Sequence, residues 1–267
     1  MGVFTGQVIV VTGASEGIGR ALCMALAQQR PKLALAARNR ERLETLKADV
    51  EALGAEALVV PLDVTDEAAC KSLIDQTVAA FGRLDVLVNN AGGTMWAKLE
   101  DIQDTSIFER LMRLNYLGSV FCTYYALPHL KKAQGRIVGI ASVAGLNGVP
   151  TRSGYSASKH AMFGFFDSLR IEVKEYGVSV TMVAPDFVLS EVHRRALDAE
   201  GKPLGVSPMQ EKKIMTAEQC AAMIVTAMER RQRLLITSLR GKLGRWLKVL
   251  APSLIDRIAA KAISDRK

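Results

Sequence analysis

Between residues 8 and 237 the chain alternates short, almost wholly apolar runs with longer segments whose apolar residues recur every three or four positions. The runs cover residues 8–11, 33–36, 57–60, 86–88, 136–140, 178–183 and 234–237, are rich in Val, Ile and Leu, and read as strands. The periodic segments between them, among them 40–53, 67–81, 155–175 and 217–231, read as amphipathic helices. A strand apolar at nearly every position must be covered on both faces, and strands joined through helices run parallel. The pattern predicts an α/β protein built on a doubly wound, seven-stranded parallel sheet in a single domain. No repeat, low-complexity stretch or linker divides the chain, and 49% hydrophobic content over 267 residues is enough for one large core.

In such sheets ligands bind beyond the carboxyl ends of the strands, so the loops that follow them carry the chemistry. The first strand runs into Thr12-Gly13-Ala14-Ser15-Glu16-Gly17-Ile18-Gly19-Arg20 and then a helical run over 21–28. Glycines there let the backbone turn tightly and approach a pyrophosphate, whose charge meets backbone amides and the helix N-terminus. Four further motifs follow in order: Asp63-Val64 after the third strand, Asn89-Asn90-Ala91-Gly92 after the fourth, Ser142 after the fifth, and Tyr155-Ser156-Ala157-Ser158-Lys159 opening the next helix.

Together, and with the spacing of Gly13, Gly17 and Gly19, these motifs resemble the short-chain dehydrogenase/reductase family over nearly the whole chain to about Thr237. The resemblance implies a Rossmann-type fold and a dinucleotide held by Gly13, Ser15, Gly17, Ile18, Gly19, Ala91 and Gly92. Asp63 would contact the adenine ring, Val64 would supply backbone, and Asn89 would steady the central sheet. After the sixth strand, Pro185, Val188 and Ser190 match positions near the nicotinamide, while Asp186 replaces the family's usual glycine. Asn115 would complete a catalytic tetrad by anchoring a water that links Lys159 to solvent.

Part of the chemistry follows from the residues alone. Tyr155 and Lys159 are four apart, so both can point from one helix face into one cleft. A free phenol titrates near pH ~10, and a neighbouring ammonium would lower that value and make Tyr155 a usable acid or base. Ser142, at the end of a central strand, would hold a substrate oxygen. Cofactor choice turns on the end of the second strand, which reads Leu35-Ala36-Ala37-Arg38-Asn39 without an acid for the ribose hydroxyls. NADP(H) is therefore expected, its 2′-phosphate on Arg38 and Ser15. Glu16 stands where NADP-preferring members of the family often carry a basic residue.

The segment from 186 to 215 contains Pro203, Gly205 and Pro208 and reads as a lid. Met95, Trp96, Leu146, Val149, Phe187, Met209 and Met215 lie in segments that border the family's substrate pocket, which points to a bulky hydrophobic alcohol or ketone, lipid- or steroid-like. Small residues at Ala157, Ala161, Gly164 and Ser168 form a stripe that admits a second helix, and the family's habit implies a homo-oligomer, a dimer or tetramer. His129 and His160 lack partners for metal ligation, and no metal is expected.

The formal net charge of +8 is localised. Residues 230–267 hold eleven of the 35 basic residues and two of the 27 acidic ones, leaving a body of 24 positive and 25 negative charges. Residues 1–240 thus form the expected NADP-binding catalytic domain and 241–267 a basic amphipathic extension, with Leu243, Trp246, Leu247 and Leu250 at i, i+3, i+4 and i+7. A second stretch after Pro252 carries Leu254, Ile255, Ile258, Ala259, Ala262 and Ile263. Packing of these helices on the core or a neighbouring subunit is the first expectation and peripheral membrane contact the second; nucleic acid is not expected, since no recognition motif is present. Widely spaced cysteines and the lack of a signal peptide or a spanning apolar run predict a cytoplasmic protein. The expected activity is hydride transfer between NADP(H) and a carbonyl or secondary alcohol. A non-catalytic NADP-binding regulator is the alternative, and a sugar-nucleotide epimerase or dehydratase is disfavoured by chain length and glycine spacing.

Overall fold

Each apolar run becomes a strand in the computed structural model, which describes residues 2–209 and 214–264, with side chains as far as residue 260. The strands are β1 (Val8–Thr12), β2 (Lys32–Ala37), β3 (Glu56–Pro61), β4 (Val86–Asn89), β5 (Arg136–Ile140), β6 (Ser179–Ala184) and β7 (Leu234–Ile236). All pair in parallel, in the order β3-β2-β1-β4-β5-β6-β7. This is the doubly wound, Rossmann-like sheet that the pattern predicts, and the strand order reverses between β1 and β4.

Alternation along β1 shows why the runs are continuously apolar. Ile9 and Val11 join one core with Leu22 of α1 (Gly17–Ala27), Leu43 of α2 (Arg40–Ala52) and, further along the chain, Ile224. Val8 and Val10 face the other core with Leu73 of α3 (Glu67–Phe81), Cys122 and Phe166. Helices cover both faces, so neither set of side chains meets water. Polar caps start the helices: Asn39 accepts from the Arg42 amide, and Asp66 from the amides of Ala68 and Ala69.

The stretch between β4 and β5 is less legible in sequence. α4 (Ser106–Leu111) passes through a π-helical turn, Met112–Leu117, into α5 (Gly118–Ala133), which contains Pro128. α6 (Ser153–Glu172) carries the Tyr-x-x-x-Lys motif, and α7 (Ala217–Glu229), which bears Ile224, opens with a capping box of Thr216 and Gln219. All four cysteines are buried and free. Although distant in sequence, Cys70 of α3 and Cys122 of α5 lie in the same core, the Cys70 thiol donating to the Val64 carbonyl at 3.4 Å.

The basic extension forms α8 (Leu239–Leu250) and α9 (Pro252–Ser264). α8 packs on the body, in agreement with the first expectation, but not by its apolar face. Its buried residues are Gly241 and Gly244, and Lys248 Nζ donates to the Leu146 carbonyl at 2.8 Å. A Cβ on Gly241 would stand 2.7 Å from Val143 Cγ1, so glycine is what allows the helix to lie this close. Leu243, Trp246 and Leu250 point outward. The side chains of Lys261, Ala262 and Ile263, and the charges of Asp265, Arg266 and Lys267, lie outside the described residues.

Candidate active site

The carboxyl ends of β1, β4, β5 and β6 converge on one side of the sheet. There Thr12 ties two of them together: its hydroxyl donates to the Val88 carbonyl and accepts from the amides of Asn90 and Ala91, both at 3.0 Å. Asn90 Nδ2 reaches back to the Thr12 and Gly13 carbonyls. These bonds hold the glycine turn against the Ala91-Gly92 loop. Gly13 has φ +64°, and a Cβ there would stand 2.9 Å from Ala91 Cα. The motif Asn89-Asn90 signalled this junction, but the structural work of Asn90 and Thr12 was not read from it. Asn89 is buried and donates to Thr123 on α5 at 2.9 Å, which ties the end of β4 to that helix.

The turn fits a dinucleotide. Glu16, the N-cap of α1, makes no side-chain cap bond, which leaves the first amides of that helix, at Gly17, Ile18 and Gly19, for an anionic group. Gly92 lies across the cleft, where a Cβ would stand 2.9 Å from Asn115 Oδ1 and 3.4 Å from Lys159 Nζ. From the third side, Ser190 comes within 3.1 Å of the position a Cβ would take on Gly17. Val188 pairs with Met215, and Pro185 accepts the Val143 amide, which seats the segment after β6 beside Ser142.

At the adenosine end the residues divide. Arg38 lies 3.9 Å from Asp63, which also accepts the Thr65 amide; Val64 is buried behind it. Ser15 instead shares a cleft with Glu16, Arg20, Arg42, Thr45 and Glu191. Glu16 is paired to Arg42 at 2.7 Å and to Arg195, so two guanidinium groups offset its carboxylate. Arg42, on the first turn of α2, was missed because in sequence it reads as one more solvated helix charge.

Ser142, Tyr155 and Lys159 come together as the motif spacing predicts. Ser142 sits at the end of β5, its hydroxyl donating to the Pro185 carbonyl at 3.4 Å and accepting the Ala144 amide at 3.1 Å, near enough to Tyr155 to act on its phenol. Lys159 Nζ lies 5.9 Å from the centre of the Tyr155 ring and donates to the Ile140 carbonyl at 2.9 Å. The electrostatics differ from the expectation. Burial raises the Tyr155 phenol above its ordinary value, and the opposing influences are the Ser142 hydroxyl and the Arg152 guanidinium, not Lys159. Lys159 itself is pushed down to about 7 by burial. Lys159 is buried and Tyr155 partly covered, and desolvation is the largest cause of both shifts.

Asn115 occupies the π-helical turn and is buried. Its Nδ2 donates to the Gly93 carbonyl and to Ser158 Oγ, and its Oδ1 accepts the Gly93 amide at 2.8 Å. The side chain expected to anchor a water is thus engaged in bracing the Gly92-Gly93 loop against α6.

Around this centre, Met95 is buried and Trp96, Leu146, Val149 and Phe187 are partly covered. The segment 186–215 lies on the 94–97 segment through backbone bonds between Leu197 and both Thr94 and Trp96; residues 210–213, part of the expected lid, lie outside the described residues. One feature of this region was not anticipated. Arg152 is buried at the start of α6, its guanidinium carbon 4.1 Å from the Trp96 ring centre, 5.2 Å from Phe187 and 5.9 Å from Tyr155. Asp186, in place of the family glycine, takes bonds from Ser238 and Arg240 at 2.7 Å and fastens this segment to α8. Burial alone would raise its carboxyl, yet those donors hold it below the usual range.

A family model described as short chain dehydrogenase matches residues 7–201. A protein of Pinus massoniana named 11-beta-hydroxysteroid dehydrogenase is 36% identical over 258 residues, covering 94% of this chain and 72% of that one. A Dictyostelium discoideum protein named dehydrogenase/reductase SDR family protein 7-like is 33% identical over 268 residues, covering 98% and 83%. Among solved structures, a short chain dehydrogenase/reductase of Burkholderia phymatum in complex with NAD superposes with a TM-score of 0.83 at 26% identity, over 95% and 96% of the two chains. An alcohol dehydrogenase of Thermococcus sibiricus complexed with 5-hydroxy-NADP gives 0.77 at 25% identity, over 86% and 95%.

Proposed function

The chain belongs to the short-chain dehydrogenase/reductase family, and from that premise we propose that it is an NADP(H)-dependent oxidoreductase interconverting a bulky hydrophobic ketone and its secondary alcohol. The observation that carries this reading is the meeting of Ser142, Tyr155 and Lys159 beside the glycine turn at the carboxyl edge of the sheet.

When bound, the nicotinamide supplies or accepts the hydride. Gly13, Gly17, Ile18 and Gly19 hold the pyrophosphate through backbone amides, and Lys159 reaches the ribose. Ser142 fixes the substrate oxygen by a hydrogen bond. Tyr155 transfers the proton at its phenolic oxygen. A phenol is protonated at neutral pH, the form that gives its proton to a carbonyl oxygen in reduction, and the phenolate takes it back in the reverse reaction. Arg38, Arg42 and Ser15 favour the extra phosphate of NADP(H), and the pairing of Glu16 with Arg42 and Arg195 removes the repulsion its carboxylate would otherwise exert. A steroid- or lipid-like substrate is supported by the apolar side chains around Tyr155 and by the names of the plant relatives.

The test is oxidation of NADPH and of NADH against a panel of ketones. Turnover of hydrophobic ketones with a higher kcat/KM for NADPH is expected. Preference for NADH would defeat the cofactor assignment, and turnover of small charged substrates alone would defeat the substrate class.

A further inference from the structure

The outer face of α8 has no counterpart in the chemistry above. At ~100° per residue, Leu239, Leu243, Trp246 and Leu250 fall within an arc of about 60°, diametrically opposite the Gly241, Gly244 and Lys248 stripe that docks on the body. Those four side chains are 63–77% exposed. α9 packs back against α8, with Ile255 Cδ1 3.8 Å from the position a Cβ would take on Gly244, and carries the half-exposed Leu254 and Ile258. Contiguous exposed apolar surface of this kind marks an interface. One flank is cationic: Lys242 and Arg245 follow it on the Trp246 side, α8 contains no acid, and α9 carries Arg257 beside Asp256.

We propose that this face lies flat on an anionic lipid bilayer, with the leucines and Trp246 at the acyl boundary and the basic side chains at the headgroups. The charge selects this occupant. A second copy would offer this face the same basic α8, with Asp256 of α9 as the one acid of the two helices among the described residues. An anionic membrane offers both complements at once, negative charge for the flank and hydrocarbon for the centre. No helix among the described residues is long and apolar enough to cross a membrane, so the contact is peripheral.

The experiment is co-sedimentation of the full chain with vesicles of phosphatidylcholine alone and of phosphatidylcholine mixed with phosphatidylglycerol. Binding to the mixed vesicles is expected, weakening as salt is raised. Trp246→Ser with Leu250→Ser should weaken it at least about tenfold by removing apolar burial. Lys242→Gln with Arg245→Gln, which leaves every apolar residue in place, should weaken it about fivefold for each charge lost. Equal sedimentation with and without the anionic lipid, no sedimentation with either, or unchanged binding by both variants would overturn the proposal. So would a fall in solution mass of the Trp246→Ser, Leu250→Ser protein with no vesicle binding by the parent, which would make the face a contact between copies.

Discussion

Lys159 is the most consequential single side chain in this fold, because the body has buried a group that water would hold charged. With its folded pKa pushed down from 10.5 to about 7, the unfolded chain binds more protons than the native one between those values. Stability therefore rises with pH across that window, and the burden is full below pH ~7. Lys159→Met should raise the melting temperature of the cofactor-free protein, most of all on the acid side, and flatten its rise towards pH ~10, while activity is lost. Thermal melts at pH 6 and pH 9 check this; a lower midpoint at both would contradict it. At the other end of the cleft, Arg42→Ala should lower kcat/KM for NADPH more than for NADH, by about tenfold if one charge-assisted bond to the phosphate is lost. An equal loss with both cofactors would make Arg42 a helix-surface residue only. The residue chemistry most legible in sequence was that carried by short motifs, since Tyr155 and Lys159 sit a helical turn apart. Arg42, Arg152 and Thr12 were not legible, because their roles depend on what the fold brings beside them from other segments.

Among the elements, the strands were read nearly to the residue, since a strand buried on both faces has no polar position to blur it. The segment 106–133 was harder. Its π-helical turn inserts an extra residue into the helix and rotates the apolar face by about 100°, so no single period runs through it. That same turn aims Asn115 at Gly93 and Ser158. α8 was legible as an amphipathic helix, but which face it buries was not, since the docking face is made of glycines whose contribution is the close approach they permit. The Asp186–Arg240 pair fixes that docking. Asp186→Ala removes charge-assisted bonds from a largely covered carboxylate and should cost about 1–3 kcal/mol in denaturant unfolding. Arg240→Ala should cost a similar amount although its own side chain is 71% exposed, because it leaves the covered Asp186 carboxylate with only Ser238 and the Phe187 amide as donors. No loss with either substitution would show that α8 is held by its glycine packing alone.

At the scale of the whole molecule, the charge and the chemistry occupy different places. Residues 1–240, with 28 basic and 25 acidic residues, carry the sheet, the glycine turn and the Ser142, Tyr155, Lys159 centre, while the 27-residue extension holds seven basic and two acidic residues, five of the eight net positive charges. Ala157, Gly164 and Ser168 face outward on α6, with Ala161 partly covered between them. A helix-to-helix contact there would give a homo-oligomer, and Gly164→Arg should lower the mass seen by light scattering; a parent protein that is already monomeric would rule that contact out. The claim on which the function rests is proton transfer at Tyr155. Its most direct test is Tyr155→Phe, measured for NADPH binding by fluorescence and for ketone reduction with saturating NADPH. Binding should be unchanged and turnover about 100- to 10,000-fold lower; a variant that turns over within about tenfold of the parent would contradict the assignment of Tyr155 as the acid.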